Sequence, residues 1–327
     1  MSCFCAQSES QPAWSPVAMT GRRKPSARRR ARTLPQWSSL LCLLLFVPTD
    51  VPAGIFPDSI YNWKKSSEAL ISPEGWDNAY GDLAELFRAY ASVRLRTVTY
   101  TEDGRVARID VVELPSRERA FGVFAAASGT ADAHGIIGDA FAQERGAVHV
   151  NFGPFYFRVL SLERRPTIPP DRALVERTKR ILFSRADCFG SDFPLPSEGR
   201  RLGSERYFAP DIRAWRTMQD LEIEEFLPMF GTRAAYAAEY ELHAVGIRRG
   251  VYMFPFRQKE AAAVFTAELV QQLEQRMGSR DGDCVLPSFT HQRKRRVIAA
   301  DASRVFLIVT DDGDDGCCSW ARSLLRR

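Results

Sequence analysis

Between Val93 and Leu114 the chain reads VRLRTVTYTEDGRVARIDVVEL. Val93 to Tyr100 and Val106 to Leu114 are strand-like, and Asp103-Gly104 between them is a hairpin turn. Pro115-Ser116 then starts a helix, Arg117 to Ser128. A second hairpin follows, Val148 to Phe152 and Phe155 to Leu162, around Gly153-Pro154. Hairpin, helix and hairpin make one unit. Upstream, Trp76 to Tyr90 reads as an amphipathic helix with Leu83, Leu86, Phe87 and Tyr90 on one face.

The same order returns further on. Tyr236 to Val245 and Val251 to Phe256 are strand-like, Gln258 to Gln275 is a long helix, and Val297 to Ala300 with Val305 to Val309 is a closing hairpin. Ala120-Phe121-Gly122-Val123-Phe124 in the first helix matches Ala261-Ala262-Ala263-Val264-Phe265 in the second. This reads as a tandem duplication. The expected fold is α+β: two related hairpin–helix–hairpin halves forming antiparallel sheets, with helices packed on one face. The first half spans residues 54–163 and the second 206–311. Residues 164–205 connect them with one helix, Asp171 to Ser184, and 312–327 form an acidic turn and tail.

The front of the chain has another character. Seven Lys/Arg residues between Arg22 and Arg32 precede the apolar run Leu40 to Val47, then Pro48 and the small-residue stretch Val51-Pro52-Ala53. A basic region, a short apolar core and a cleavage site are the layout of a secretory signal peptide. Residues 1–53 are therefore expected to be a leader, with translation starting at Met1 or Met19 and cleavage near Ala53. The run is eight residues long, against the ~20 that a membrane-spanning helix needs. No permanent membrane anchor is expected. The mature protein is expected in the periplasm or outside the cell.

Removing the leader resets the charge. The whole chain is +5, with 45 basic and 40 acidic residues. The leader holds seven basic residues and two acidic ones, Glu9 and Asp50, which leaves 45 − 7 = 38 against 40 − 2 = 38. The neutral remainder lacks the basic footprint of a nucleic-acid binder. One basic run, His291 to Arg296, is expected to be a solvated hairpin edge.

Cys188, Cys284, Cys317 and Cys318 remain, and an oxidising compartment favours their pairing. Four cysteines allow three connectivities. The expected bond is Cys188 to Cys284, with one of the adjacent pair Cys317 and Cys318 bonded elsewhere or free. No C-x-x-C and no paired histidine spacing supports zinc, so neither a metal nor a cofactor is expected.

The sequence contains no G-x-S-x-G, H-E-x-x-H, Walker loop or G-x-G-x-x-G. His149 and His243 fall in strand-like segments and are expected to pack. His134 is read in a loop before Gly135, the histidine freest to act. Asp311-Asp312-Gly313-Asp314-Asp315-Gly316 fails as a calcium hand, because the twelfth position is Arg322 rather than a glutamate. It is expected to be a solvated turn.

Ala84-Glu85-Leu86-Phe87 with Tyr90, Ala120 to Phe124, Ile137-Gly138-Asp139, Phe152 to Arg158, and Gly203-Ser204-Glu205-Arg206-Tyr207-Phe208 resemble, in that order, a family of exported bacterial proteins classed as a domain of unknown function. The similarity covers about Trp63 to Val309. It departs in the first helix, where Gly81-Asp82-Leu83 stands in place of the family's Asn-Gly. The resemblance implies export and a two-part layout and brings no activity with it. It also implies a recurrent glutamate at Glu85. Tyr80, Glu85, His134, Arg206 and Tyr207 are thus the candidate ligand or partner site. The expected function is a non-catalytic binding or interaction module of the cell envelope, acting on a small molecule or an envelope protein. The alternatives are a hydrolase using carboxylates such as Glu85 or Asp139, and a structural envelope component.

Overall fold

A computed structural model describes residues 54–129, 132–136, 139–144, 146–163, 172–183, 193–201, 204–216, 227–242, 247–282, 284–311, 313–314 and 316–326. The leader, Cys188 and His243 lie outside them. From Pro52 to Arg327 the chain forms one compact unit.

The first half runs β1 (Ser59–Ile60), β2 (Trp63–Ile71), α1 (Trp76–Tyr80), α2 (Asp82–Ala89), β3 (Arg94–Glu102), β4 (Arg105–Glu113), α3 (Arg117–Ala127), β5 (Asp132–Ile136), β6 (Asp139–Glu144), β7 (Ala147–Phe152) and β8 (Phe155–Ser161), followed by α4 (Arg172–Phe183). The second half runs β9 (Arg206–Phe208), α5 (Ile212–Arg216), α6 (Leu227–Phe230), β10 (Ala235–Leu242), β11 (Ile247–Pro255), α7 (Lys259–Met277), β12 (Ser288–His291), β13 (Lys294–Ala300), β14 (Arg304–Asp311) and α8 (Cys317–Leu325). The expected Trp76–Tyr90 helix is broken into α1 and α2. Gly81 between them has φ +56°, a left-handed conformation that an α-helix cannot carry through.

Each half makes one antiparallel sheet. The orders are β1-β2-β3-β4-β8-β7-β6-β5 and β12-β13-β14-β11-β10-β9. At the centre of both, a hairpin is followed by a helix and then by a second hairpin whose last strand returns beside the first hairpin. That gives β3-β4-β8-β7 in one and β10-β11-β14-β13 in the other. The protein is an α+β fold of two similar halves. β4 and β11 are each nine residues long, and each is followed by its helix after three residues. Ala120 and Val123 therefore correspond to Ala262 and Phe265, at the fourth and seventh positions of their helices. The sequence match aligned Ala120 with Ala261, one residue out of register. The sequence frame is favoured by matching Val123 with Val264 and Phe124 with Phe265, whereas burial against the sheet pairs Val123 with Phe265.

The layers follow from three apolar clusters. On the outer face of the first sheet, Val98, Ile109, Phe157 and Val159 pack with Phe56, Ile60 and α4. Between the sheets, α2 and α3 join Val112 and Tyr156 of the first sheet to Val251, Met253 and Ile308 of the second, together with α8. On the outer face of the second sheet, Phe254 and Leu307 pack under Phe265, Leu269 and Leu273 of α7. The crossover helices α3 and α7 each cover one face, as expected for this fold, and α4 and α8 close the opposite ones.

Three local expectations change. Cys284 is bonded to Cys318, not Cys188, and Cys317 is a buried free thiol. The α8 helix brings Cys318 to the segment before β12, a contact across 34 residues of sequence that spacing alone does not reveal. The acidic string is not simply a solvated turn. Asp314 is buried, bound by Arg249 Nε and Nη2 at 2.6 and 2.7 Å, and accepts from Thr310 Oγ1 at 3.0 Å. The basic run is exposed only from His291 to Arg293, at the β12–β13 tip, while Arg295 and Arg296 are buried in β13.

A candidate binding site on the first sheet

Alternation in β3, β4, β7 and β8 sends every second side chain to the face that α3 covers. On that face Thr97, Asp110, Arg158 and His149 stand in a row. Thr97 is directly opposite Asp110, Asp110 opposite Arg158, and Arg158 opposite His149. The row is polar, yet Asp110 is 1% exposed and His149 3%.

Asp110 is the hub. Its Oδ1 accepts from Thr97 Oγ1 at 2.9 Å, Arg108 Nε at 2.8 Å and Tyr80 OH at 3.5 Å. Its Oδ2 accepts from Arg108 Nη2 at 2.9 Å and Arg158 Nε at 2.8 Å. A carboxylate offers about four lone-pair sites, so Asp110 is saturated. Both guanidinium groups also lie against the Tyr80 ring, 5.5 Å and 5.8 Å from its centroid. Tyr80 reaches the row because it is the last residue of α1, just before the break at Gly81. Burial, and then the Asp110 charge, hold its hydroxyl above the usual tyrosine range, so it stays a donor.

The far end of the row is neutral. His149 Nε2 lies 2.9 Å from Glu144 Oε1 and Nδ1 lies 2.9 Å from Tyr156 OH. A carboxylate only accepts, so neutral His149 carries its proton on Nε2 and accepts the tyrosine hydroxyl at Nδ1. Burial lowers the His149 pKa, against the opposing pull of Glu144.

The second half supplies the contrast. Asp110 is the sixth residue of β4, and Tyr252 is the sixth of β11. Reading across from Tyr252, the equivalent row is Ala237, Tyr252, Leu307 and Ile298. All four belong to the core beneath α7. The frame is satisfied by an apolar row, so its geometry does not require the ionised one.

Of the five residues expected to form a site, only Tyr80 belongs to this row. Glu85 is exposed on α2. His134 is in the edge strand β5, two strands beyond β7, and not in a loop. Its neighbour Gly135 pairs with Ala140, so an apparent turn glycine is part of a ladder. Arg206 and Tyr207 are in β9 at the edge of the second sheet. The Tyr207 carbonyl accepts the Tyr90 hydroxyl at 2.6 Å, and its ring lies 5.1 Å from that of Tyr236. Tyr207 thus joins the halves through Tyr90. Asp139 is tied to Lys179 at 2.8 Å.

Arg108, Asp110 and Arg158 were missed for a physical reason. Charges at every second position of a strand read as a solvent face; here a helix layer covers that face. The available signal was Asp110, an acid inside the apolar run Ile109 to Val112.

Among the described residues no cluster of three or more His, Cys, Asp or Glu side chains is placed to hold a metal ion. Among them, too, no helix is long and apolar enough to cross a membrane. No family model matches the chain, and no curated protein and no solved structure matches it.

Proposed function

We propose that this chain is an exported, non-catalytic binding module of the bacterial cell envelope, and that the polar row of the first sheet is its ligand seat. The observation that carries the reading is the contrast between the halves. Replacing a buried ionic network with apolar residues is often neutral or stabilising, and the second half uses such residues at the equivalent positions. An ionised network kept where the fold does not need it points to recognition.

Export rests on the leader layout of residues 1–53 and on the resemblance to exported proteins. The Cys284–Cys318 bond suits an oxidising compartment. The shared strand order favours a tandem duplication in which one copy kept a site and the other became support. The neutral charge of residues 54–327 gives no footprint for nucleic acid.

The test uses the chain from Gly54 onward and a variant carrying Thr97→Ala, Asp110→Val, Arg158→Leu and His149→Ile. A thermal-shift screen against envelope metabolites and glycan fragments is expected to find a ligand that stabilises the wild type and not the variant. The variant itself is expected to melt above Asp110→Ala alone. Equal responses in both proteins would remove the row from the reading. No response to any ligand, together with no captured partner in a pull-down, would remove the binding function.

A further inference from the structure

We propose that the row binds a small oxyanion, a carboxylate or phosphate group carried by the ligand, on the outer edges of the Arg108 and Arg158 guanidinium groups. The inference rests on reading the row as a ligand seat and names the chemistry of what sits there.

Hydrogen-bond supply leads to it. Two guanidinium groups share one carboxylate, and every acceptor site of Asp110 is taken. The next acid along the row, Glu144, is hydrogen-bonded by neutral His149 and keeps its charge, so the row is electrically balanced. What is left over is guanidinium donors. Arg158 uses only Nε on Asp110, so its two Nη groups have no acceptor among the described residues. Arg108 spends Nε and Nη2 on Asp110, with Nη2 also 3.4 Å from the Ala79 carbonyl, and keeps Nη1. The two side chains are 26% and 14% exposed, so these donors border solvent, while the carboxylate that orients them is sealed beneath.

The arrangement is preorganised. Asp110 and the Tyr80 ring hold both guanidinium planes before anything binds, so little side-chain entropy is lost on binding. Planar guanidinium groups with paired N–H donors match carboxylate and phosphate oxygens in a way that an ammonium does not.

The experiment is calorimetric titration of the chain from Gly54 with sodium acetate and, separately, with inorganic phosphate, at ionic strength held constant with chloride. One saturable site is expected for at least one of the two anions, and the stronger arm identifies the group. Arg158→Lys keeps the charge and loses the Nη pair, and is expected to bind about tenfold more weakly. Glu85→Gln is expected to bind as the wild type does. If Arg158→Lys does not fold, the guanidinium nitrogen NMR signals of the wild type decide: Arg158 must shift with the anion while exposed Arg326 does not. No saturable binding, or equal binding by Arg158→Lys, overturns the inference. The wider reading survives that result if an uncharged ligand still stabilises the wild type and not the apolar-row variant. It fails with it if nothing discriminates between those two proteins.

Discussion

The helices α3 and α7 occupy the same place in their halves, and their surroundings differ. Helix α7 is buried along one stripe, Ala262, Phe265, Leu269 and Leu273, and turns Ala263, Val264 and Ala267 outward, with Val264 56% exposed. Helix α3 is buried almost all round. Its Phe121, Gly122 and Ala125, the counterparts of α7's outward residues, are buried in the cluster that spans both sheets. The halves are thus stacked in series: the helix layer of the first sheet also serves as a layer on the second. At Gly122 the fit is so close that an added Cβ would lie 2.6 Å from the Tyr207 carbonyl and closer still to the Tyr90 ring. The polar row lies under the helix layer that has sheets on both sides, and the apolar row under the helix that faces solvent. The two rows also differ in exposure: all four residues of the apolar row are buried, whereas Thr97 and Arg158 of the charged row are half-buried and Arg158 borders solvent.

The sharpest way to break this comparison is Asp110→Ala. It leaves Arg108 and Arg158 without their shared acceptor, and a loss of about 3–5 kcal/mol in urea unfolding is expected. The four-residue apolar variant is expected to lose less than Asp110→Ala despite changing more residues, because only the partly exposed Arg108 is left without its acceptor. If both lose the same, the row is structural. Reducing Cys284–Cys318 is expected to cost about 3–4 kcal/mol, since the bond closes 34 residues of sequence. Hydrogen exchange should place that loss in α8, β12 and β13, leaving the first sheet protected. Protection lost equally in both sheets would show that the halves do not open separately.

Gly122→Ala comes next. Overpacking against backbone is expected to cost about 1–3 kcal/mol, whereas Val264→Ala at the matching exposed position should change stability by less than about 0.5 kcal/mol. Paired chemical-denaturation curves measure both, and equal small effects would contradict the two-sided burial of α3. The smallest effect is on pH dependence. The His149 pKa is lowered from its ordinary 6.5, chiefly by burial. The folded state then holds fewer protons than the unfolded one between the two pKa values. Its contribution is complete above pH 6.5 and is lost as pH falls through the folded value, with a slope of at most about 1.4 kcal/mol per pH unit. His149→Ile, the residue type of the apolar row, should flatten that slope. An unchanged slope would place the titration elsewhere.

Much of the frame was legible from local signals. The Asp103-Gly104 turn, the Ser116 cap, whose Oγ accepts the Arg119 N–H at 3.3 Å, and the helical period of Gln258 to Gln275 all appear where expected. β2 is not legible because five polar residues, Lys64 to Glu68, run in succession between Trp63 and the apolar end Ala69-Leu70-Ile71, and a bulge near Ser66 breaks the alternation. α8 is not legible because its helix begins at two adjacent cysteines directly after the acidic string, with no side-chain cap to mark it.

The site was much less legible. Tyr80 was singled out, but Asp110 and its two arginines were not, since their value depends on what covers them. Local sequence determined the hairpins, the helices, the two-part order and the neutral charge beyond residue 53, because turns, caps, periodicity and composition act over a few residues. Tertiary structure alone decided that the polar faces of β4 and β8 are buried, that Cys284 meets Cys318, that Gly122 has no room for a methyl group, and that Glu85 and Tyr207 lie apart from the row. Those outcomes depend on which faces meet when the two sheets stack, and that is a contact between residues far apart in the chain.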